Sequence, residues 1–565
     1  MNSLFGIWTS TLRKNFLWLV LSTLLPAFGM SNSARAAERI YASYSALERS
    51  ISINALEDYA KKNVIDDDLA VYQQYVQPQQ LQELRRALVT PIKVNSVAVS
   101  QFLYTPQGEF LLGRLGEVIK TESRQPKPGF HALRSALILA SAEPGGLTLL
   151  NLLRKYPSRS IHIDLARSLG IAGELEKLVS ETNRAIAAVS QKSNTEAATI
   201  QPPLNLSQLP DLRRKGKFAI KDKETLKIFD LARNRLLLTD IYLPNLSTPA
   251  PVIVISHGVG SDSGNFEYLA NHLASYGFVV VVPNHPGSDA KQLQSLLNGR
   301  ASEAANPQEF VDRPLDVKHI LDELEMRNKS DSRFKGRLNL QQVGVIGQSF
   351  GGYTALALAG AKINFQKLGK DCTKQALKDS WNLSLLLQCQ ALQLPNNQDY
   401  KLRDERVKAA IALNPITSSV FGEAGLKQIQ TPVMIVSSSD DTIAPALYEQ
   451  ILPFSWIVNT QKYLVVLEGG THFSTIGESK NTTEQVGLPT EIVGKNPAQA
   501  RQYLLRMSLP FFETYVAGTS KYIPYLNAAY VKTISSQPVG LSLVQSLTKT
   551  ELARSLSGEV KEVKP

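Results

Sequence analysis

Short apolar runs punctuate the second half of the chain. Val252 to Ile255, Phe278 to Val282, Val343 to Ile346, Val407 to Leu413, Pro432 to Val436 and Tyr463 to Leu467 are the clearest. Runs this short, with no polar alternation, predict strands buried on both faces. Arg235 to Leu243 predicts a further strand, closed by Pro244. Segments with helical spacing stand between and after them: Phe266 to Tyr276, Asp316 to Met326 and Arg501 to Val516. Strands alternating with helices predict a mostly parallel sheet with helices on both faces. This α/β domain is expected over 216–518.

The first half has a different texture. Leu47, Ile51, Ala55 and Tyr59 recur four apart, and Pro78 opens a segment with Leu81, Leu84 and Leu88 on one face. Proline suits the first turn of such a helix. Leu133, Leu137 and the run Leu149 to Leu153 continue the pattern beyond the breakers Pro126, Pro128, Pro144 and Gly145-Gly146. A mainly α-helical domain is expected over 37–190. Its leucines read as core, its lone histidines His131 and His162 as structural, and no ligand-spaced cluster appears in it. Residues 191–215, polar and carrying Pro202-Pro203 and Pro210, read as a linker. Residues 519–565 read as a C-terminal tail with a polar, Lys-rich end.

Length and charge narrow the partners. A chain of 565 residues exceeds one typical domain. The formal charge of +11 is spread among interspersed acids and bases, and the one dense basic cluster is Arg213-Arg214-Lys215 with Lys217. No nucleic-acid motif accompanies it, so it reads as a solvated linker, with peripheral contact to an anionic membrane as the alternative. No protein partner is implied. At the N-terminus, Arg13-Lys14, the apolar stretch Phe16 to Phe28 and Ala34-Arg35-Ala36 have the order of a signal peptide over 1–36. Export to a periplasmic or secreted location is expected; an uncleaved membrane anchor is the alternative. Cys372 and Cys389 are compatible with an oxidising compartment.

The chemistry concentrates at Gly347-Gln348-Ser349-Phe350-Gly351-Gly352. An apolar run leads in and helix formers from Tyr353 to Ala361 lead out, which is the strand, sharp turn and helix of a nucleophile elbow. Ser349 is the candidate nucleophile. A serine hydroxyl needs a base, and the base needs an orienting acid. His472 is the only histidine after Ser349, in Gly469-Gly470-Thr471-His472-Phe473 just past the last apolar run. The acid belongs at the end of the strand Pro432 to Val436, where Asp440-Asp441 stand. Asp441, four residues before Pro445, is selected; Asp440 is the alternative. The developing oxyanion needs donors. The backbone N–H groups of Phe350 and Val259 are the candidates, the second from Ser256-His257-Gly258-Val259-Gly260 after an early strand. His257, Gly258, Gln348 and His285 are candidate pocket or binding residues, His257 chiefly as a support for its loop and His285 with a buried hydrogen-bonding residue as the equal alternative. No cofactor or metal is implied.

These residues resemble a known family. Ser256 to Gly260, Leu273 to Phe278, the elbow and Gly470-Thr471-His472-Phe473 resemble the platelet-activating-factor acetylhydrolase and dienelactone hydrolase branch of the α/β-hydrolases, over about residues 216–518. Arg313-Pro314 with Asp316 also resembles a helix entry of these families. The segment before it resembles a domain of unknown function that precedes such hydrolases in photosynthetic bacteria. The resemblance implies the α/β-hydrolase fold and a serine esterase acting on small or short-acyl carboxylic esters, including lipid esters. One departure stands out: Asn414 occupies the position where the plasma-type acetylhydrolases carry their acid, so that role passes to Asp441. A cutinase-like or polyester hydrolase and a catalytically silent binding module are the competing readings.

Between the elbow helix and the next strand lies an insertion, about 364–405. It holds both cysteines and the apolar residues Trp381, Leu383, Leu385, Leu386 and Leu387. A Cys372–Cys389 disulfide that rigidifies it as a partial lid is expected; a surface helical excursion packed away from the site is the alternative to the lid, and a pair of buried free thiols the alternative to the bond.

Overall fold

The computed structural model describes residues 36–557 apart from 93, 123–126, 201–208, 221–222, 397 and 480–489. The signal-peptide reading, the Pro202-Pro203 linker segment and the Lys-rich end of the tail lie outside the described residues. The chain divides into two compact units, Met1–Ile171 and Ala172–Pro565.

The first unit is rich in helix but is built around a five-stranded sheet. Strands β1 (Arg39–Tyr44), β2 (Leu47–Ser52), β3 (Ile119–Thr121), β4 (Lys127–Pro128) and β5 (Ser160–Asp164) lie in the order β2-β1-β5-β3-β4. The four-residue spacing of Leu47 and Ile51 therefore belongs to a strand, not to a helix. Four is also a multiple of the strand period of two, so the same spacing keeps two residues on one face of a strand. The helix starts only at Ile53, where the Ser52 hydroxyl accepts the Ala55 N–H at 3.0 Å and caps it. Pro78 does open a helix, Pro78–Val89, which buries Leu81 and Leu88.

The second unit begins inside the helix Leu165–Thr199. Residues 191–199, read as linker, are its last turns. Ala185, Ile186 and Val189 enter a core cluster with Val544 and Leu547, and the Ser193 hydroxyl accepts the Leu543 N–H at 3.1 Å. The polar composition that suggested a linker is the solvent face of this helix.

Nine strands form the second sheet: β6 (Glu224–Asp230), β7 (Arg235–Tyr242), β8 (Ala250–Ser256), β9 (Val279–Pro283), β10 (Leu338–Gln348), β11 (Val407–Leu413), β12 (Val433–Ser438), β13 (Lys462–Glu468) and β14 (Gly540–Val544). Their order is β14-β13-β12-β11-β10-β8-β9-β7-β6. The neighbours from β9 through β8, β10, β11 and β12 to β13 are all parallel. β7 and β6 add antiparallel at one edge and β14 at the other. Burial follows this layout. Every residue of β9 and β12 is buried, whereas β6 alternates buried and exposed positions, as expected of an edge strand with one wet face. The tail is not featureless: β14 and the helix Lys549–Ser557 belong to it. Among the described residues, no helix is long and apolar enough to cross a membrane.

From β8 the chain crosses first to β9 on one side and later to β10 on the other. The carboxyl ends of β8 and β10 therefore flank a switch in winding direction, the place where an open α/β sheet leaves a crevice for ligands.

Candidate active site

Ser349 sits between β10 and the helix Phe350–Leu358, with φ 55° and ψ −114°. A non-glycine residue with positive φ is strained and is held there by its surroundings. The turn is tight: a Cβ on Gly347 would stand 2.0 Å from the Gly351 carbonyl oxygen, and one on Gly351 would stand 2.0 Å from that of Ser256. Side chains at either position would open the turn or push it off β8. The Ser349 N–H donates to Leu413 O at 2.8 Å, fixing the turn to β11.

The helix that carries Ser349 is anchored through an irregularity in its neighbour. The helix Glu309–Ser330 contains Pro314, which has no N–H to offer the Phe310 carbonyl one turn earlier. The buried Tyr353 hydroxyl donates to that carbonyl at 2.7 Å instead. Tyr353 also stacks on Phe421, centroids 4.8 Å apart and planes 7° apart.

His472 lies in the loop after β13. Its Nδ1 is 2.7 Å from Asp441 Oδ2. Asp441 Oδ1 accepts the N–H groups of Ile443 at 2.9 Å and Ala444 at 2.7 Å, so both carboxylate oxygens are engaged. Asp440 is exposed, accepts the Ser439 hydroxyl at 2.6 Å, and does not touch His472. Of the two adjacent aspartates, the structure brings Asp441 to the imidazole. Two side chains hold the backbone of the histidine loop. Gln348 Nε2 donates to His472 O at 3.0 Å, and Asn414 Nδ2 donates to Ser438 Oγ at 3.1 Å and to Thr471 O and His472 O at 3.3 Å each. No hydrogen bond joins Ser349 Oγ to His472 Nε2. Such a bond is often long before substrate arrives.

The N–H groups of Val259 and Phe350 have no acceptor among the described residues. Phe350 heads its helix, so its N–H has no partner inside the helix. Val259 lies in the loop after β8, held by Gly260 N–H to Ser288 O at 2.9 Å.

The four candidate pocket or binding residues are enclosed: His257 supports its loop, and His285 takes its alternative reading as a buried hydrogen-bonding residue. His257, His285 and Gln348 are 0, 0 and 1 % exposed, too enclosed to touch a ligand. The reason is hydrogen bonding. His257 Nε2 accepts the His285 N–H at 3.0 Å, so its Nδ1 donates to Gly258 O at 2.7 Å. His285 Nε2 pairs with Ser256 Oγ and its Nδ1 with Asp316 Oδ2, both at 3.0 Å. Gly258 is buried, and a Cβ there would stand 2.2 Å from Gln348 Oε1. Burial, then the nearby Arg313 charge, hold both imidazoles well below their usual range, so both are neutral at pH 7. Asp316 is clasped by Arg235, at 2.9 and 2.8 Å. Sequence reasoning missed this charged underlayer, although Pro314 inside a helical stretch was a visible signal of an irregularity there.

The insertion contains the disulfide Cys372–Cys389. Glu449, fully buried, ties it down: its carboxylate accepts Asn382 Nδ2 and Gln388 Nε2 from the insertion, and the Thr417 and Ser418 N–H groups from the loop after β11. Ser384 N–H donates to Ile443 O at 2.9 Å, beside the Asp441 loop. Leu385 and Leu386 are buried, while Trp381, Leu383 and Leu387 are half-buried, so the five do not form one inner face. No hydrogen bond joins the insertion to Ser349, His472 or Val259 among the described residues. These bonds pin it against the Asp441 loop.

Family comparison bears on this geometry. A model described as "Serine aminopeptidase, S33" matches residues 247–368, the span from β8 through the elbow helix. The fold is that of an α/β-hydrolase. A second model, "Alpha/beta hydrolase of unknown function (DUF1400)", matches residues 36–164, within the first unit. Comparison with curated proteins returns no match. The hydrolase match ends before Asp441 and His472, so the nucleophile elbow rests on sequence similarity and geometry, and the Asp441–His472 pair on geometry alone. Among the described residues, no group of three or more His, Cys, Asp or Glu is gathered as a metal site.

Proposed function

We propose that the protein is an exported serine hydrolase that cleaves small or short-acyl carboxylic esters. The observation that carries the reading is the buried Asp441–His472 pair at 2.7 Å, presented on the same sheet edge as the strained Ser349. Ser349 Oγ attacks the ester carbonyl carbon as His472 Nε2 takes its proton. The carbonyl electrons move onto oxygen, which the Val259 and Phe350 N–H groups receive. Collapse of this intermediate expels the alkoxide, to which His472 returns the proton. His472 then deprotonates a water that attacks the acyl-enzyme, the bond to Ser349 Oγ breaks, Oγ takes the proton back from His472, and the acid leaves. Asp441 holds Nδ1–H in place and stabilises the imidazolium.

The aminopeptidase description of the matching family supports a second reading, hydrolysis of an amide by the same acyl-enzyme route. The test uses purified protein, fluorophosphonate labelling and paired p-nitrophenyl esters and p-nitroanilides. Labelling at Ser349 and turnover of acetate or butyrate esters are expected, both lost in Ser349→Ala. Anilide turnover without ester turnover selects the amide reading, and neither labelling nor turnover sinks both.

A further inference from the structure

We propose that Arg313 is a positioning residue for the oxyanion donors, one cation that holds the Val259 loop and the Phe350 ring in fixed relation. The inference rests on the reading of Ser349 as a nucleophile. Arg313 is completely buried. Its Nη1 donates to His257 O at 2.6 Å, and its Nε donates to Ser288 Oγ at 2.8 Å. Ser288 O in turn accepts the Gly260 N–H at 2.9 Å. Val259 lies between these two points of attachment. On its other side the guanidinium carbon stands 4.6 Å from the centroid of the Phe350 ring. The same planar group thus touches the residue that carries one candidate donor and grips the loop that carries the other.

An ordinary structural ion pair does not account for this placement. The carboxylates nearby are engaged elsewhere. Asp316 is held by Arg233 and Arg235, and Glu309 by Arg235 at 2.7 Å and by the Ser288 hydroxyl at 2.8 Å. Arg313 reaches Glu309 only at 3.8 Å. Its Nη2 has no hydrogen-bond partner among the described residues, and a buried donor left unpaired costs stability. Its short contacts go to the loop and the ring. Burial draws the guanidinium down to about 10, which still leaves it charged at neutral pH. Lysine could not replace it, because a point charge on a flexible stem cannot stack on Phe350 and donate in two fixed directions.

The experiment compares Arg313→Lys, Arg313→Met and Ser288→Ala with the wild-type chain. It measures kcat and KM for p-nitrophenyl acetate, inhibition by trifluoroacetone, whose adduct with a serine places an oxyanion between the donors, and thermal melting. The Arg313 variants are expected to lower kcat by about 10²-fold, the scale of one lost oxyanion donor. KM should stay within about threefold, and trifluoroacetone affinity should fall in step with kcat. Ser288→Ala, which removes one anchor and keeps the charge, should show the same signature at about tenfold or less, and it decides the matter if the Arg313 variants fail to fold. Lowered melting temperature with kcat and inhibition unchanged would overturn the proposal. A wild-type protein that neither labels at Ser349 nor turns over ester sinks the functional reading itself.

Discussion

Tyr353→Phe tests whether the elbow helix is anchored through the gap that Pro314 leaves in its neighbour. The substitution removes one oxygen and keeps the ring, so the stack on Phe421 and the edge contact with Phe310 survive. What is lost is the donor that, among the described residues, serves the Phe310 carbonyl in place of the N–H that proline at 314 lacks. A buried carbonyl left without a donor costs about 1 to 3 kcal/mol. The decisive arm is the same substitution in a Pro314→Ala background. Alanine supplies the missing N–H, so Phe310 O regains its bond within the helix. The cost of Tyr353→Phe should then drop below about 0.5 kcal/mol, a coupling of about 1 kcal/mol or more between the two sites. Urea unfolding followed by tryptophan fluorescence is the assay. The four tryptophans are Trp8, Trp18, Trp381 and Trp456, so a chain starting at Ala37 reports only on the second unit. Equal costs in both backgrounds would refute the reasoning, and so would a cost near zero in the wild-type background.

Three further outcomes follow from named contacts. Asp441→Asn should lower ester kcat by about 10³- to 10⁴-fold, whereas Asp440→Asn, in an exposed side chain, should cost less than about fivefold; the reverse order in steady-state kinetics would reassign the acid. Burial raises Asp289 to about 6 from 3.8, so the folded state holds that proton more tightly, and the stability this one group contributes should be full below about pH 4 and be lost as pH rises through 6. Asp289→Asn keeps an acceptor for the Gln292 N–H and should stabilise the protein by about 2 kcal/mol at pH 7 and by nothing at pH 3.5 in urea titrations; an equal effect at both pH values defeats this account. The Cys372–Cys389 bridge closes a 17-residue separation, so the denatured, unreduced chain should titrate no thiols, and reduction should destabilise by about 3 kcal/mol while leaving the ratio of acetate to butyrate ester turnover unchanged. A shift in that ratio would favour the lid.

The second unit was the more legible because its chemistry is written in local patterns. Val407–Leu413 is a strand with the bounds its apolar run predicts, since every residue of it but the half-buried Lys408 is enclosed between neighbouring strands and helices. The first unit carries a weaker code. Leu47 and Ile51 satisfy the spacing of a helix face and of a strand face alike, and only the Ser52 cap and the pairing of β1 with β5, more than a hundred residues away, decide between them. β14 was invisible for a similar reason: Gly540–Val544 is short, and its strand conformation comes from pairing with β13. Asp441 could be singled out by its offset from Pro445 and His257 as a support for its loop, but His285 stayed open between pocket and buried partner and the burial of Gln348 could not be read, because polar residues next to a site look the same whether they face ligand or each other.

The contrast between positions 414 and 441 has a physical cause in the structure. Asn414 follows β11 at φ 42° and aims its amide donor at the Ser438 hydroxyl and at the carbonyls of Thr471 and His472. An aspartate at 414 would turn an acceptor-only group on two carbonyl oxygens, and would push the histidine loop away instead of holding it. One strand further along, the backbone at Ile443 and Ala444 offers two N–H groups to a carboxylate, which is the environment an ionised side chain needs when it is enclosed. The Asn414 amide and the Asp441 carboxylate are therefore complementary parts of one arrangement. One fixes the backbone of the His472 loop and the other fixes its ring, and exchanging their chemistries would undo both.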